Sequence, residues 1–180
     1  MPPIPALAPD ASLRLGFVIE EADRALYHAP NAETLRSAAF ATRRCFAVEP
    51  APAGRAGWIG VHFMPASART GLSDIEGDAW FDAVTLEPLQ IDFRYTGLPS
   101  SFAAARAGGS IRFRRLVTGH WIADEWSLSV PSGRYSRLFA YDTRDVPSGA
   151  GTISLDGVRI TTMLMREVQV NGATIYRRAQ

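Results

Sequence analysis

Two carboxylates pose the first question of chemistry. In the stretch Asp74 to Tyr95, DIEGDAWFDAVTLEPLQIDFRY, two runs alternate with period 2 around a turn-like segment, the pattern of a half-buried antiparallel hairpin. Pairing Phe81 with Leu89 sets Ala79 against Ile91, Gly77 against Phe93 and Ile75 against Tyr95, a consistent apolar face. The other face pairs Trp80 with Gln90, Asp78 with Asp92 and Glu76 with Arg94. A slip of one residue would mix the two faces, so this register is favoured. Like charges directly opposite one another are unfavourable unless something compensates them. Such a pair can do acid/base work, because one pKa is driven up, or can hold a hard cation. The simpler alternative is an ion-pair ladder in which Arg94, Arg112 or Arg114 neutralises both.

The remaining reactive types form no pattern of this kind. His28, His62 and His120 lack the spacing of a metal site, and Cys45 does not complete one. Cys45 as a nucleophile would need a partnering base; beside Phe46 it reads more simply as a small buried hydrophobe. Ser67, Ser73 and Ser132 lie near glycines, but no GxSxG elbow is present. Ala107-Gly108-Gly109-Ser110 is not a phosphate loop, because the chain has no lysine to follow the glycines. Arg112, Phe113, Arg114 and Arg115 lack the aromatic signature of an RNA-binding strand. No catalytic residue, metal or cofactor is assigned on these grounds.

The elements that must position these residues are mostly strands. Residues 1–12 carry four prolines and read as an irregular lead-in, and 13–180 as one β-rich domain. Leu13 to Glu20 alternates like a strand, and Glu20 to Tyr27 has the composition of a short helix. Asn31 is a plausible N-cap for a helix from Ala32 to about Arg43, with Glu33 in its first turn. Cys45 to Glu49 starts the sheet. Arg55 to Met64 follows, and its two glycines, Gly57 and Gly60, suggest a bend or bulge and so a curved sheet. A helical turn is expected at Phe102 to Arg106.

Ile111 to Leu116 and Trp121 to Val130 form a second hairpin around Thr118-Gly119. A two-residue loop there pairs Ile111 with Trp126, Phe113 with Asp124 and Arg115 with Ile122. The opposite face pairs Arg112 with Glu125, Arg114 with Ala123 and Leu116 with Trp121. If the two hairpins are neighbours, Arg112 and Arg114 lie near Asp78 and Asp92, and Trp121 shares the polar face with Trp80. Arg134 to Thr143 is a further strand and Arg144 to Gly151 a loop. Val158 to Val170 and Ala173 to Arg177 close the chain as a hairpin around Asn171-Gly172.

The fold class expected is therefore mainly β (α+β): a curved antiparallel sheet of about seven to nine strands, with one or two N-terminal helices packed on one face. With 180 residues and 47% apolar content, one globular domain can bury a sizeable core. All 19 basic residues are arginine, and the net charge of +1 gives no electrostatic case for a nucleic-acid partner. No run approaches the length of a transmembrane helix. The lead-in MPPIPALAPDASLRL lacks the basic start and compact apolar segment of a signal peptide.

Several segments together carry a resemblance. They are Tyr27-His28-Ala29-Pro30-Asn31-Ala32, then Phe40 and Cys45-Phe46, and Trp58-Ile59-Gly60-Val61-His62-Phe63. They continue through the central hairpin to Phe93-Arg94-Tyr95-Thr96-Gly97-Leu98-Pro99, then Gly108-Gly109 before Ile111-Arg112-Phe113, and Trp121. Over roughly residues 25–130 the chain resembles the C-terminal region of secreted bacterial carboxypeptidase-regulatory-like domain-containing proteins, which are not peptidases. In those proteins a small β-sandwich precedes this region. The family has acidic residues before the Phe40 position and a histidine before the cysteine, where Ser37-Ala38-Ala39 and Arg44 stand here.

The resemblance implies export, a place in the periplasm or cell envelope, and a binding or structural role without catalysis. On that reading the interaction face is Asp78, Trp80, Asp92, Arg94, Arg112, Arg114 and Trp121, and the partner an envelope protein. Without export, the lack of a signal peptide points to the cytoplasm. A second reading is a carrier holding a lipid or other apolar ligand in the concavity of the sheet; a hydrolase using Asp78 and Asp92 ranks last. The oligomeric state is left open.

Overall fold

A computed structural model describes residues 8–20, 25–69, 71–98, 106–136 and 152–178. Its centre is a curved, open, seven-stranded antiparallel sheet in which every strand pairs with its neighbours in sequence. The strands are β3 (Arg44–Pro50), β4 (Trp58–Pro65), β5 (Asp74–Asp82), β6 (Pro88–Thr96), β7 (Gly108–Arg115), β8 (Trp121–Ser136) and β9 (Thr152–Leu164). Two small hairpins flank it: β1 (Val18–Glu20) with β2 (Ala25–Tyr27), and β10 (Glu167–Val170) with β11 (Ala173–Arg177). The helices are short: α1 (Pro9–Leu15), α2 (Ala32–Arg36) and α3 (Ala38–Ala41).

The central hairpin takes the expected register from Ile75 opposite Tyr95 to Trp80 opposite Gln90, including Asp78 opposite Asp92. One pair differs: a bulge after Trp80 sets Phe81 against Pro88 instead of Leu89. Alternation then builds the core. Ile75, Ile91, Phe93 and Tyr95 join Phe63, Ile111 and Leu128 in one buried cluster. Phe17, Tyr27 and Phe40 close it from the N-terminal side. The rings of Tyr27 and Tyr95 meet edge to face at 5.3 Å, and those of Phe40 and Phe63 at 5.8 Å. Tyr95 Oη donates to His28 O at 3.1 Å, and burial, followed by nearby Tyr27, pushes its phenol above the ordinary tyrosine range.

The N-terminal third departs most from expectation. Residues 9–12 belong to α1 and not to an irregular lead-in, and Leu13 to Leu15 completes that helix before a strand begins at Val18. Ala25–Tyr27, expected as helix, is strand β2; its side of a hairpin registers Val18 against Tyr27. Helix propensity gave way to burial of Tyr27 against the sheet. The helix expected from Ala32 to Arg43 begins as read, with Asn31 Oδ1 accepting from Thr34 N at 2.7 Å. It breaks at Ser37, whose hydroxyl donates to Thr34 O and accepts from Phe40 N, ending α2 and capping α3 in one residue. The turn expected over Phe102 to Arg106 lies outside the described residues except for Arg106. So does most of 134–151, where β8 runs on to Ser136.

Gly57 and Gly60 mark no bulge, because β3, β4 and β5 pair there without a register shift. Gly57 lies before β4, with φ +81°. Gly60 makes room: a Cβ on it would stand 2.6 Å from Trp80 Cζ3. The bulge of the second hairpin comes after Arg112 instead. Ile111–Trp126 and Arg112–Glu125 pair as expected, after which Phe113 meets Ala123, Arg114 meets Ile122 and Arg115 meets Trp121. The strand expected from Val158 to Val170 divides into β9 and β10. The turn at Asn171-Gly172 forms as read, with both residues at positive φ.

A buried ion pair ties β3 to β5 at the corner where the helices meet the sheet. Arg44 donates through both terminal nitrogens to Asp74, at 2.5 and 3.1 Å, and its guanidinium lies 4.4 Å from the Phe40 ring centroid. Arg69 reaches the same carboxylate at 3.4 Å and also donates to Leu13 O at the end of α1. Removing one member leaves the other charged and buried. Asp74→Ala should therefore cost about 3–5 kcal/mol, read as a lower denaturant midpoint; a change below about 1 kcal/mol, the range of exposed pairs, would contradict this account.

Candidate functional site

The outer face of the sheet carries the charged residues singled out above. Register alone aligns a polar row across five strands: His62, Asp78, Asp92, Ser110 and Ser127. The two aspartates have polar partners, but these are not Arg94, Arg112 or Arg114. His62 Nδ1 lies 2.8 Å from Asp78 Oδ1. Asp92 accepts from Gln90 Nε2 at 2.6 Å, Trp80 Nε1 at 2.9 Å and Arg55 Nη1 at 3.1 Å. The guanidinium of Arg55 also lies 4.9 Å from the Trp58 ring centroid and 5.3 Å from that of Trp80, so one cation stacks on two indoles.

Arg94 pairs with Glu76, its cross-strand neighbour. Arg112 and Arg114 find carboxylates on β8: Arg112 lies 3.5 Å from Glu125, and Arg114 2.9 Å from Asp124. The bulge after Arg112 explains the difference, since it brings Arg114 beside Asp124 and not toward β6. It also moves Trp121 onto the face of Phe113, opposite to that of Trp80. The residues brought together are thus Asp78, Trp80, Asp92 and Arg94; Arg112 and Arg114 border them, and Trp121 leaves the group.

Three participants were missed in sequence. Arg55 sits in the turn before β4, where no periodicity applies. His62 fits no metal-site spacing in the sequence, but pairing β4 with β5 places it directly opposite Asp78. Gln90 was read only as the partner of Trp80. The other two histidines are elsewhere: His28 is buried beneath the N-terminal segment, and His120 Nδ1 lies 3.0 Å from Thr118 Oγ1 in an exposed turn. Ser73, far from any nucleophile elbow, exchanges hydrogen bonds with the backbone of Val18. Cys45 is exposed, not buried. Among the described residues, no three of His, Cys, Asp and Glu are grouped so as to hold a metal ion.

A crevice of about 230 Å³ opens beside Met64, Ser67, Arg69, Asp74, Glu76 and Thr96. Its charges are already engaged, Asp74 by Arg44 and Arg69, and Glu76 by Arg94. A second charge centre ties down the C-terminal hairpin. Asp124, on β8, accepts from Tyr176 Oη at 2.7 Å, Arg178 Nη2 at 2.6 Å and Arg114 Nε at 3.1 Å. Burial works against its charge, but these three donors outweigh burial and hold the carboxyl below the usual range.

No family model, curated protein or solved structure matches this chain. Among the described residues, no helix is long and apolar enough to cross a membrane.

Two measurements check this geometry. Asp92→Ala strands the buried Trp80 donor and should cost about 1–3 kcal/mol; Asp78→Ala breaks only the half-exposed pair with His62 and should cost less than about 1 kcal/mol. Denaturant titrations giving the reverse order would contradict the assignment. For Asp124 the folded pKa lies below the unfolded value of about 4, so its stabilisation is complete above that value and lost as pH falls through the folded pKa. Acid titration should release β10 and β11 below about pH 4, seen in the amide resonances of Ala173–Arg177, and Asp124→Asn should remove that transition.

Proposed function

We propose that this chain is a non-catalytic binding or assembly domain of an exported bacterial envelope protein. The observation that carries this reading is the fate of the two carboxylates. Each is held by its own set of donors, Asp78 by His62 and Asp92 by Trp80, Gln90 and Arg55. Residues locked in this way serve as a rigid platform and not as an acid and a base awaiting substrate. Arg94 and Arg112, though paired with Glu76 and Glu125, remain 72% and 59% exposed, so that the N–H groups of each guanidinium not used in these pairs could meet a partner's carboxylates. The envelope context comes from the resemblance of residues 25–130 to the secreted family.

A second reading, a carrier for an apolar ligand, draws on the inner face. Ile59, Val61, Phe81 and Leu89 are only half-buried there, and Val48 is 72% exposed. Native mass spectrometry of the protein purified from an envelope fraction would separate the two, since a carrier retains lipid mass.

The binding role is tested by placing a photo-crosslinking amino acid at Arg94 or Arg112 in cells. Discrete adducts from these positions, and none from Val84 in the exposed β5–β6 loop, are expected. Equal yields from all three positions, or no adducts, would contradict the proposed face.

A further inference from the structure

The sheet ends at β3, whose outer edge has no neighbouring strand among the described residues. Natural edges are usually blunted by lysine, proline, a bulge or a cover. The centre of β3 has none of these among the described residues: Cys45, Phe46, Ala47 and Val48 are all exposed and uncharged, with Glu49 and Pro50 only at the C-terminal end, and the strand pairs with β4 without a register shift. Phe46 and Val48 are 52% and 72% exposed on the inner face. An edge this flat and apolar is a template for another strand.

The backbone shows which groups are free. Ala66 N donates to Arg43 O, so odd-numbered residues of this strand turn both their N–H and C=O toward β4. Even-numbered residues, Arg44, Phe46, Val48 and Pro50, turn theirs outward. Pro50 fits this rule, because its missing N–H falls on the open side.

We infer that β3 pairs antiparallel with β3 of a second copy, making one sheet continuous through both molecules. Faces stay continuous only in registers that oppose residues of like parity. The register that overlaps all of β3 is centred on its midpoint, Ala47. It opposes Phe46 to Val48 of the second copy, twice by symmetry, burying the two exposed apolar residues against each other. Each such pair exchanges two outward backbone hydrogen bonds, and Arg44 N–H meets the Pro50 carbonyl at either end. Ala47, a small residue, meets its own copy at the two-fold axis, and Cys45 faces Glu49. No like charges are directly opposed. The interface is isologous and closes at two copies, leaving each β9 edge outermost.

Light scattering on the purified chain should give twice the chain mass. Val48→Pro removes an outward N–H and no bond to β4, and should give a monomer with an unchanged far-UV spectrum. Should that variant misfold, Phe46→Arg combined with Val48→Arg opposes like charges across the pair and should also give a monomer. In a Cys45→Ser background, Ala47→Cys should form an interchain disulfide under mild oxidation. Non-hydrogen-bonded partners stand about 4.5 Å apart at Cα, within the roughly 4.4–6.8 Å that a disulfide spans. The wild-type Cys45 thiols, about 13 Å apart along the strands, should not crosslink. A monomeric wild type at sub-millimolar concentration, including one that takes up a strand from some other protein, would overturn the inference. So would a dimer that survives both edge variants, or one that crosslinks through Cys45 and not through Ala47→Cys.

Discussion

The bidentate pair between Arg44 and Asp74 fixes the corner of the sheet against which the helices pack. It lies where β3 and β5 begin, with the Arg44 side chain only 1% exposed. A guanidinium there needs its full complement of partners, and the carboxylate of Asp74 and the face of Phe40 provide most of it. Arg69 extends the contact to α1 through Leu13 O. Two short helices, each too brief to be stable alone, are thereby tied to the sheet, α3 through Phe40 and α1 through Leu13 O. Ser73, next in sequence to Asp74, adds its bonds to Val18 and holds β1 in the same layer.

With that layer in place, the two faces of the sheet have different duties. The inner face supplies the aromatic core. The outer face must solve an electrostatic problem, since Asp78 and Asp92 are directly opposite. The solution is lateral: each carboxylate turns to a different neighbour, Asp78 toward β4 and Asp92 toward the indole and guanidinium that stack over it. Gly60 belongs to the same device, because the Trp80 ring occupies the space a side chain would need. The outcome is a face whose charges are engaged with one another. The edge is a separate matter. The outer edge of β3 has no strand partner among the described residues.

Much of this was legible from residue types in order. Strict alternation in Ile91 to Tyr95 determined which side chains enter the core, while Leu89 stays half-buried at the bulge, and Asn171-Gly172 determined the last turn. Alternation and turn both act through local backbone geometry. Asn31 was readable as a cap for the same reason, its side chain serving an amide three residues on. The register of the central hairpin followed from the apolar pattern, because any slip would bury Asp78 and Asp92 and expose Phe93.

Other features depended on contacts between distant segments. Ala25–Tyr27 has helical composition, yet Tyr27 is strand because its ring is required against Tyr95. A single extra residue at Asp124, invisible in hydropathy, shifted the second hairpin and carried Trp121 to the other face. The ion partners were misassigned for a related reason. An arginine side chain is long enough to reach several carboxylates, and which one it takes depends on strand neighbours and bulges that the order of residues does not specify. The sequence by itself therefore determined the class, the core face and the opposed aspartates, all set by period and local turn chemistry. Only the tertiary structure decided which groups contact them and which strands stand at the ends of the sheet, because those depend on what lies across the sheet.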